Sequence, residues 1–260
     1  MNQRWTILSL AGALAVAGSG CNAPEPAAPG PPNILLVSLD TLRADHLSSY
    51  GYHRHTTPFL DELAAGGTRF SHASVNTHGT PSSHTTMLSS LYQETHRVWA
   101  DRESDDRRAP SIPDGITLLQ EIFGEAGWTT AAVTGGAWMS SSYGFSRGFD
   151  HFSDQGVDAG QGAALFVETL ESAMAEGRPV FALFHTYEVH SPYLPPEGYG
   201  ALFGTYSSDI KPTWNALQPF SHSATRDLAD SDLEFLVSQY DGEIRFLDDQ
   251  LRRLFSKLEA

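Results

Sequence analysis

Asn33-Ile34-Leu35-Leu36-Val37-Ser38-Leu39-Asp40-Thr41-Leu42-Arg43-Ala44-Asp45-His46 is the stretch on which the fold turns. Ile34, Leu35, Leu36, Val37 and Leu39 make a short apolar run that stops on the carboxylate of Asp40. Such a run predicts a buried strand that delivers the acid to a sheet edge. In open α/β sheets, ligands bind beyond the carboxyl ends of parallel strands, so an acid there can hold a metal or a substrate. Aspartate after a core strand is equally a favoured helix N-cap, and the run alone leaves both readings open.

Downstream, Thr57-Pro58 is a cap and first-turn signal for a helix that Gly66 and Gly67 stop. Thr68 to Ser74 alternates weakly as a strand would, and a second helix is expected from Ser82 to Tyr92. Ala100 to Pro113 is charged and flanked by proline, a surface loop. Ile116 to Ala126 carries Leu119, Ile122, Phe123 and Ala126 at helical spacing before Gly127. Trp128 to Thr134 reads as a strand, Gly135 to Asp150 as a loop, Ala163 to Glu176 as a helix and Pro179 to His185 as a strand. Ser191 to Ser223 lacks periodicity and is expected to lie as a long loop over the strand ends. Asp230 to Lys257 places Leu236, Tyr240, Ile244, Leu247, Leu251 and Leu254 in one stripe, a long helix facing the core. Alternating strands and helices at this spacing predict an α/β fold, a mainly parallel central sheet with helices on both faces. Polar residues at the strand ends then share one rim.

The 260 residues suffice for one such domain. A formal net charge of −15, with only Lys211 and Lys257 as lysines, argues against nucleic acid as a partner. An anionic substrate would be repelled unless a cation or focused arginines reverse the local field. At the N-terminus, Arg4, the apolar stretch Ile7 to Ala17 and the small residues before Cys21 predict a signal peptide over 1–20. The apolar stretch is shorter than the about 20 residues a membrane span needs. Cys21 is the single cysteine, so no internal disulfide forms, and its place resembles the lipidated cysteine of bacterial lipoproteins, although Gly18 stands where those usually have leucine. Residues 21–32, rich in proline and alanine, read as a tether to a domain over 33–260. The expected location is the bacterial cell envelope, with export and a membrane anchor through Cys21.

Thr80-Pro81-Ser82-Ser83-His84 puts a hydroxyl at a helix start, where free N–H groups favour an anion. Activated by a metal, that hydroxyl could attack sulfur or phosphorus; Thr80 as a plain helix cap is the simpler reading of the turn alone. The ordered set formed by Ser38 to His46, Thr57-Pro58-Phe59-Leu60, the Thr80 turn, Gly127-Trp128-Thr129-Thr130-Ala131-Ala132, Gly144 to Asp150, His190-Ser191-Pro192-Tyr193 and Tyr240-Asp241-Gly242-Glu243-Ile244 resembles the sulfatase family of the alkaline phosphatase superfamily.

The resemblance implies an alkaline-phosphatase-like fold and a hydrolase of sulfate esters using a divalent metal, calcium or zinc. It aligns Asp40 with a metal-binding aspartate and Thr41 with a position where many members carry a second one. Thr80 falls at the nucleophile, as catalytic group and metal ligand together. Typical members place there a cysteine or serine converted to formylglycine; threonine cannot be so converted, the proline is displaced by one place, and His84, a candidate catalytic residue, replaces arginine. An unmodified threonine looks more like the phosphodiesterase and phosphotransferase relatives. His190 matches a histidine beside the leaving group. Arg43, His185 and Glu188 are candidate substrate contacts, with His185 and Glu188 also able to join the metal or orient His190, and Arg147 is a further candidate anion contact. No Asp-His-Gly triplet, which in the family supplies further metal ligands, occurs in the sequence. The fold is therefore expected to be incomplete at the C-terminus, through truncation or splitting. Completion of the site by a partner chain, His78 or His185, and an inactive binding lipoprotein, stay open beside it.

Overall fold

In strand β1, Ile34–Leu39, and strand β4, Val180–Thr186, alternate side chains enter two different apolar layers. Leu35, Val37 and Leu39 pack with Val180, Ala182 and Phe184 in one layer; Leu36 and Leu183 belong to the other. This period of two is what a pleated strand dictates. Strands β2, Thr129–Val133, and β3, His151–Ser153, complete a sheet of order β1-β4-β2-β3 in which every observed pairing is parallel. The computed structural model describes residues 30–99, 111–156, 158–206, 208–213, 215–217 and 228–259. The signal segment 1–20, Cys21, nearly all of the tether and the charged stretch 100–110 lie outside the described residues.

Helices cover both faces. One layer takes α1, Pro58–Gly66, α5, Ala159–Met174, and α6, Asp230–Glu259; the other takes α2, Thr80–Ser89, and the start of α4, Leu119–Glu125. A four-residue helix α3, Gln93–His96, follows α2. Burying Leu236, Tyr240, Ile244, Leu247, Leu251 and Leu254, α6 puts its stripe into the core as its spacing predicts. Among the described residues no helix is long and apolar enough to cross a membrane.

Several expectations are corrected. Strand β1 is half-buried, not buried, because among the described residues it pairs with β4 on one side only. Thr68 to Ser74 forms no strand: it is exposed, with Phe70 at 70% exposure, and has no ladder to join. Helix α2 begins at Thr80 and ends at Ser89, where Ser90 turns left-handed. Helix α5 begins four residues early, at Ala159, because the Asp158 carboxylate accepts the Gln161 N–H at 2.8 Å and Gly162 lies flat against Phe184. The three residues of β3 follow directly on the expected loop, which ends at Asp150, in a stretch with no strand expectation. Thr57 occupies the cap position of α1 without a side-chain capping bond. Asp248 of α6 does that work instead, accepting the Phe59 and Leu60 N–H groups at 2.8 and 2.9 Å. In the described part of the segment after Ser191, Tyr199 leans on α6, meeting Phe246 and Asp249.

Candidate active site

Parallel pairing puts the carboxyl ends of β1, β4 and β2 on one rim, and Asp40 follows β1 directly, its N–H donating to the Thr186 carbonyl at 3.1 Å. Thr41 then takes φ +60°. A β-branched residue resists that conformation, and two bonds hold it: its Oγ1 donates to the Val189 carbonyl, and the Tyr240 hydroxyl of α6 donates to its own carbonyl, both at 2.8 Å. This turn sends the chain away from the sheet and leaves the Asp40 carboxylate at the rim, its side chain only 9% exposed.

Ser38 and His185 are register partners on adjacent strands, so both point to the face covered by α2. There His84, one turn into α2, meets them: its Nε2 is 2.8 Å from Ser38 Oγ, and its Nδ1 donates to the Thr80 carbonyl at 2.8 Å. Ligand atoms of Asp40, His84 and His185 lie within 4.8 Å of one another. His185 Nε2 stands 3.5 Å from Asp40 Oδ2, too far for a hydrogen bond, and both atoms are buried without a partner. The Tyr187 hydroxyl is a third such atom. Burial pushes the Asp40 carboxyl upward, yet His185, His84 and the Thr80 hydroxyl together outweigh it and the net displacement is down. Burial, then repulsion from His185, pushes His84 down to about 4, so its ring is neutral at physiological pH. Burial first and the Asp40 charge second raise the Tyr187 phenol.

Thr80 is the first residue of α2, with Gly79 as its cap, so it is not itself the cap. Rings pack edge to face in series from His84 to His185 at 5.0 Å, to Tyr187 at 4.6 Å and to His190 at 5.8 Å. That series brings His190 to the same rim; its Nδ1 donates to the Ser191 carbonyl at 2.8 Å, which leaves Nε2 for other work. A cleft of about 590 Å³ opens beside Asp40, between β1 and α2, lined by Ser38, Asn76, His78, His84 and Met87.

Other sequence candidates sit apart. Arg43 points to solvent and pairs with Asp45 at 2.6 Å. Glu188 accepts the Ala159 N–H at 2.7 Å and caps α5, burial raising its pKa. Arg147 binds Glu121 at 3.0 Å on the α4 side. Ser38 and Tyr187 were not among the sequence candidates. The period of two from His185 places Tyr187 on its face, a usable signal; the match of Ser38 with His185 depends on register, which no local pattern gives.

The buried Oδ2 of Asp40, which has no partner, and the His84 imidazole within 4.8 Å of it fit a divalent cation. A parallel α/β sheet with helices on both faces and a cation-competent acid at its carboxyl rim defines the class of protein. Within that class the chain belongs to the Sulfatase family, whose model matches residues 32–260. Arylsulfatase A of Bos taurus is 32% identical over 166 residues, covering 60% of this chain and 30% of that protein. A delta 4,5-hexuronate-2-O-sulfatase of Bacteroides thetaiotaomicron is 27% identical over 169 residues, covering 62% and 33%. The chain thus spans a third or less of the length of these curated relatives. Its fold is that of the phosphonate monoester hydrolase of Agrobacterium radiobacter, with a TM-score of 0.67 at 18% identity over 88% of this chain and 59% of that one. The zinc complex of the C-terminal periplasmic domain of EcEptC from Escherichia coli matches at a TM-score of 0.57 and 20% identity, over 89% and 60%.

Proposed function

We propose that the chain is a metal-dependent hydrolase of sulfate esters that works outside the cytoplasm. The observation that carries this reading is the meeting of Asp40, with its buried unpartnered Oδ2, with His84 and His185 within 4.8 Å at the strand ends, beside the helix α2 that Thr80 opens. Asp40 and Thr80 would hold the ion, which when bound lowers the pKa of a hydroxyl and offsets the ester's negative charge. Thr80 Oγ forms a bond to sulfur as the bond from sulfur to the leaving oxygen breaks, and the hydroxyl proton departs to water in the cleft. His190 Nε2 passes a proton from cleft water to that leaving oxygen. Water then cleaves the sulfated Thr80 and returns its hydroxyl. Free N–H groups at the α2 start favour the anion. Family membership supports the sulfate ester, and the signal-like segment 1–20 with Cys21 supports export and lipid anchoring.

A second reading, transfer or hydrolysis at a phosphodiester, is favoured by one fact: threonine cannot become formylglycine, so the nucleophile is an unmodified hydroxyl. Turnover of an aryl sulfate and an aryl phosphodiester, each with and without chelator and with Thr80→Ala, tests both. The sulfate should be the faster substrate, and chelator and substitution should each abolish its turnover. Turnover that survives both treatments overturns the mechanism; a faster phosphodiester selects the second reading.

A further inference from the structure

We infer that His84 is a direct ligand of the rim cation through Nε2, that His185 is not, and that the ion is consequently of the nitrogen-accepting zinc type, not calcium. This rests on the reading that a cation sits on Asp40, and it adds which ion and which imidazole.

The two histidines face the same place with opposite tautomers. A carbonyl oxygen can only accept, so the 2.8 Å bond from His84 to the Thr80 carbonyl fixes the proton on Nδ1 and leaves a lone pair on Nε2. That arrangement, one ring nitrogen donating to a backbone carbonyl and the other bare, is how metal-ligating imidazoles are held. Ser38 Oγ, 2.8 Å from that lone pair, is a rotor: it can turn its proton away and keep a place beside the ion. His185 is held the other way. Its Nδ1 accepts the Gly135 N–H at 3.3 Å, so in the neutral ring the proton is on Nε2, which faces Asp40 Oδ2. Coordination through Nε2 would require moving that proton to Nδ1, against the Gly135 N–H. His185 therefore faces the site with an N–H placed to donate to an ester oxygen, and leaves the metal to His84.

The donor set follows: a carboxylate oxygen of Asp40, the imidazole nitrogen of His84 and the Thr80 hydroxyl. Calcium takes six to eight oxygens, while zinc takes four ligands and accepts imidazole readily. The resemblance puts an arginine at the place of His84. Without that arginine, in a chain of net charge −15, the ion is the local source of the positive field that an anionic ester needs.

Zinc K-edge absorption on the zinc-loaded native chain counts imidazole ligands without any substitution. One imidazole is expected; none, or two, overturns the assignment. Calorimetric titration with zinc and calcium is the second readout. Zinc should bind more tightly than calcium, and His84→Ala should weaken zinc by more than the roughly 10- to 100-fold typical of losing an outer-shell partner. His185→Ala should stay within that range. Calcium binding as tight as zinc, or His84→Ala binding zinc as the native chain does, overturns the inference while the cation reading stands. A native chain that takes up neither ion overturns both.

Discussion

Thr41 shows how a single residue sets the rim. At φ +60° a β-branched side chain costs about 1–2 kcal/mol, which the bonds to Val189 and Tyr240 offset. Two substitutions separate the strain from the bond. Thr41→Gly removes both and should change stability by less than about 1 kcal/mol, since the two contributions oppose. Thr41→Val keeps the strain, loses the Oγ1–H donor and leaves the Val189 carbonyl short, so it should cost about 1–3 kcal/mol. Denaturant unfolding of both variants checks the order; a valine variant as stable as the glycine one contradicts it. At this scale Asp40 was legible because an apolar run ended on it. The opposite tautomers of His84 and His185 were not, because each is set by a carbonyl or an N–H brought from elsewhere in the chain.

Among the elements, α6 does more than its apolar stripe suggests. Between the buried leucines it carries Asp241, which accepts from Tyr52 at 2.7 Å and Arg54 at 2.8 Å and lies 2.7 Å from His46 Nδ1; Asp248, which caps α1; and Glu243, which accepts the Leu194 N–H at 2.6 Å. These acids fasten to one helix the segment after β1 and the loop after His190. The sequence shows their helix but not their burial, since an acid between two leucines is as well suited to solvent until a neighbouring loop supplies donors. Glu243 has a measurable consequence. Burial pushes its carboxyl up from 4.5 to about 9, and Oε2 has no partner. Between pH 4.5 and 9 the folded chain keeps a proton that the unfolded chain releases, so stability falls as pH rises through that window and levels off above it. The slope is at most about 1.4 kcal/mol per pH unit. Glu243→Gln should remove it, so the native chain should lose stability relative to the variant between pH 5 and 8. Parallel pH profiles for the two would contradict the assignment.

For the whole molecule, the parallel sheet, its two helical layers and the shared rim were readable from alternation, helix spacing and the length of the crossovers. The strand order β1-β4-β2-β3 was not, because register and neighbour choice are decided by side chains far apart in sequence, such as Ser38 opposite His185. That register brings separated residues together, Asp40 and His185 meeting His84 of α2, while Arg43 and Glu188 are spent on Asp45 and α5. The central claim is that this rim is a metal centre organised on Asp40. Calorimetric titration of zinc into the native chain and into Asp40→Ala tests it most directly. The native chain should take up one zinc per molecule, and the variant should bind at least about 100-fold more weakly. Equal binding by both, or none by the native chain, would contradict the account.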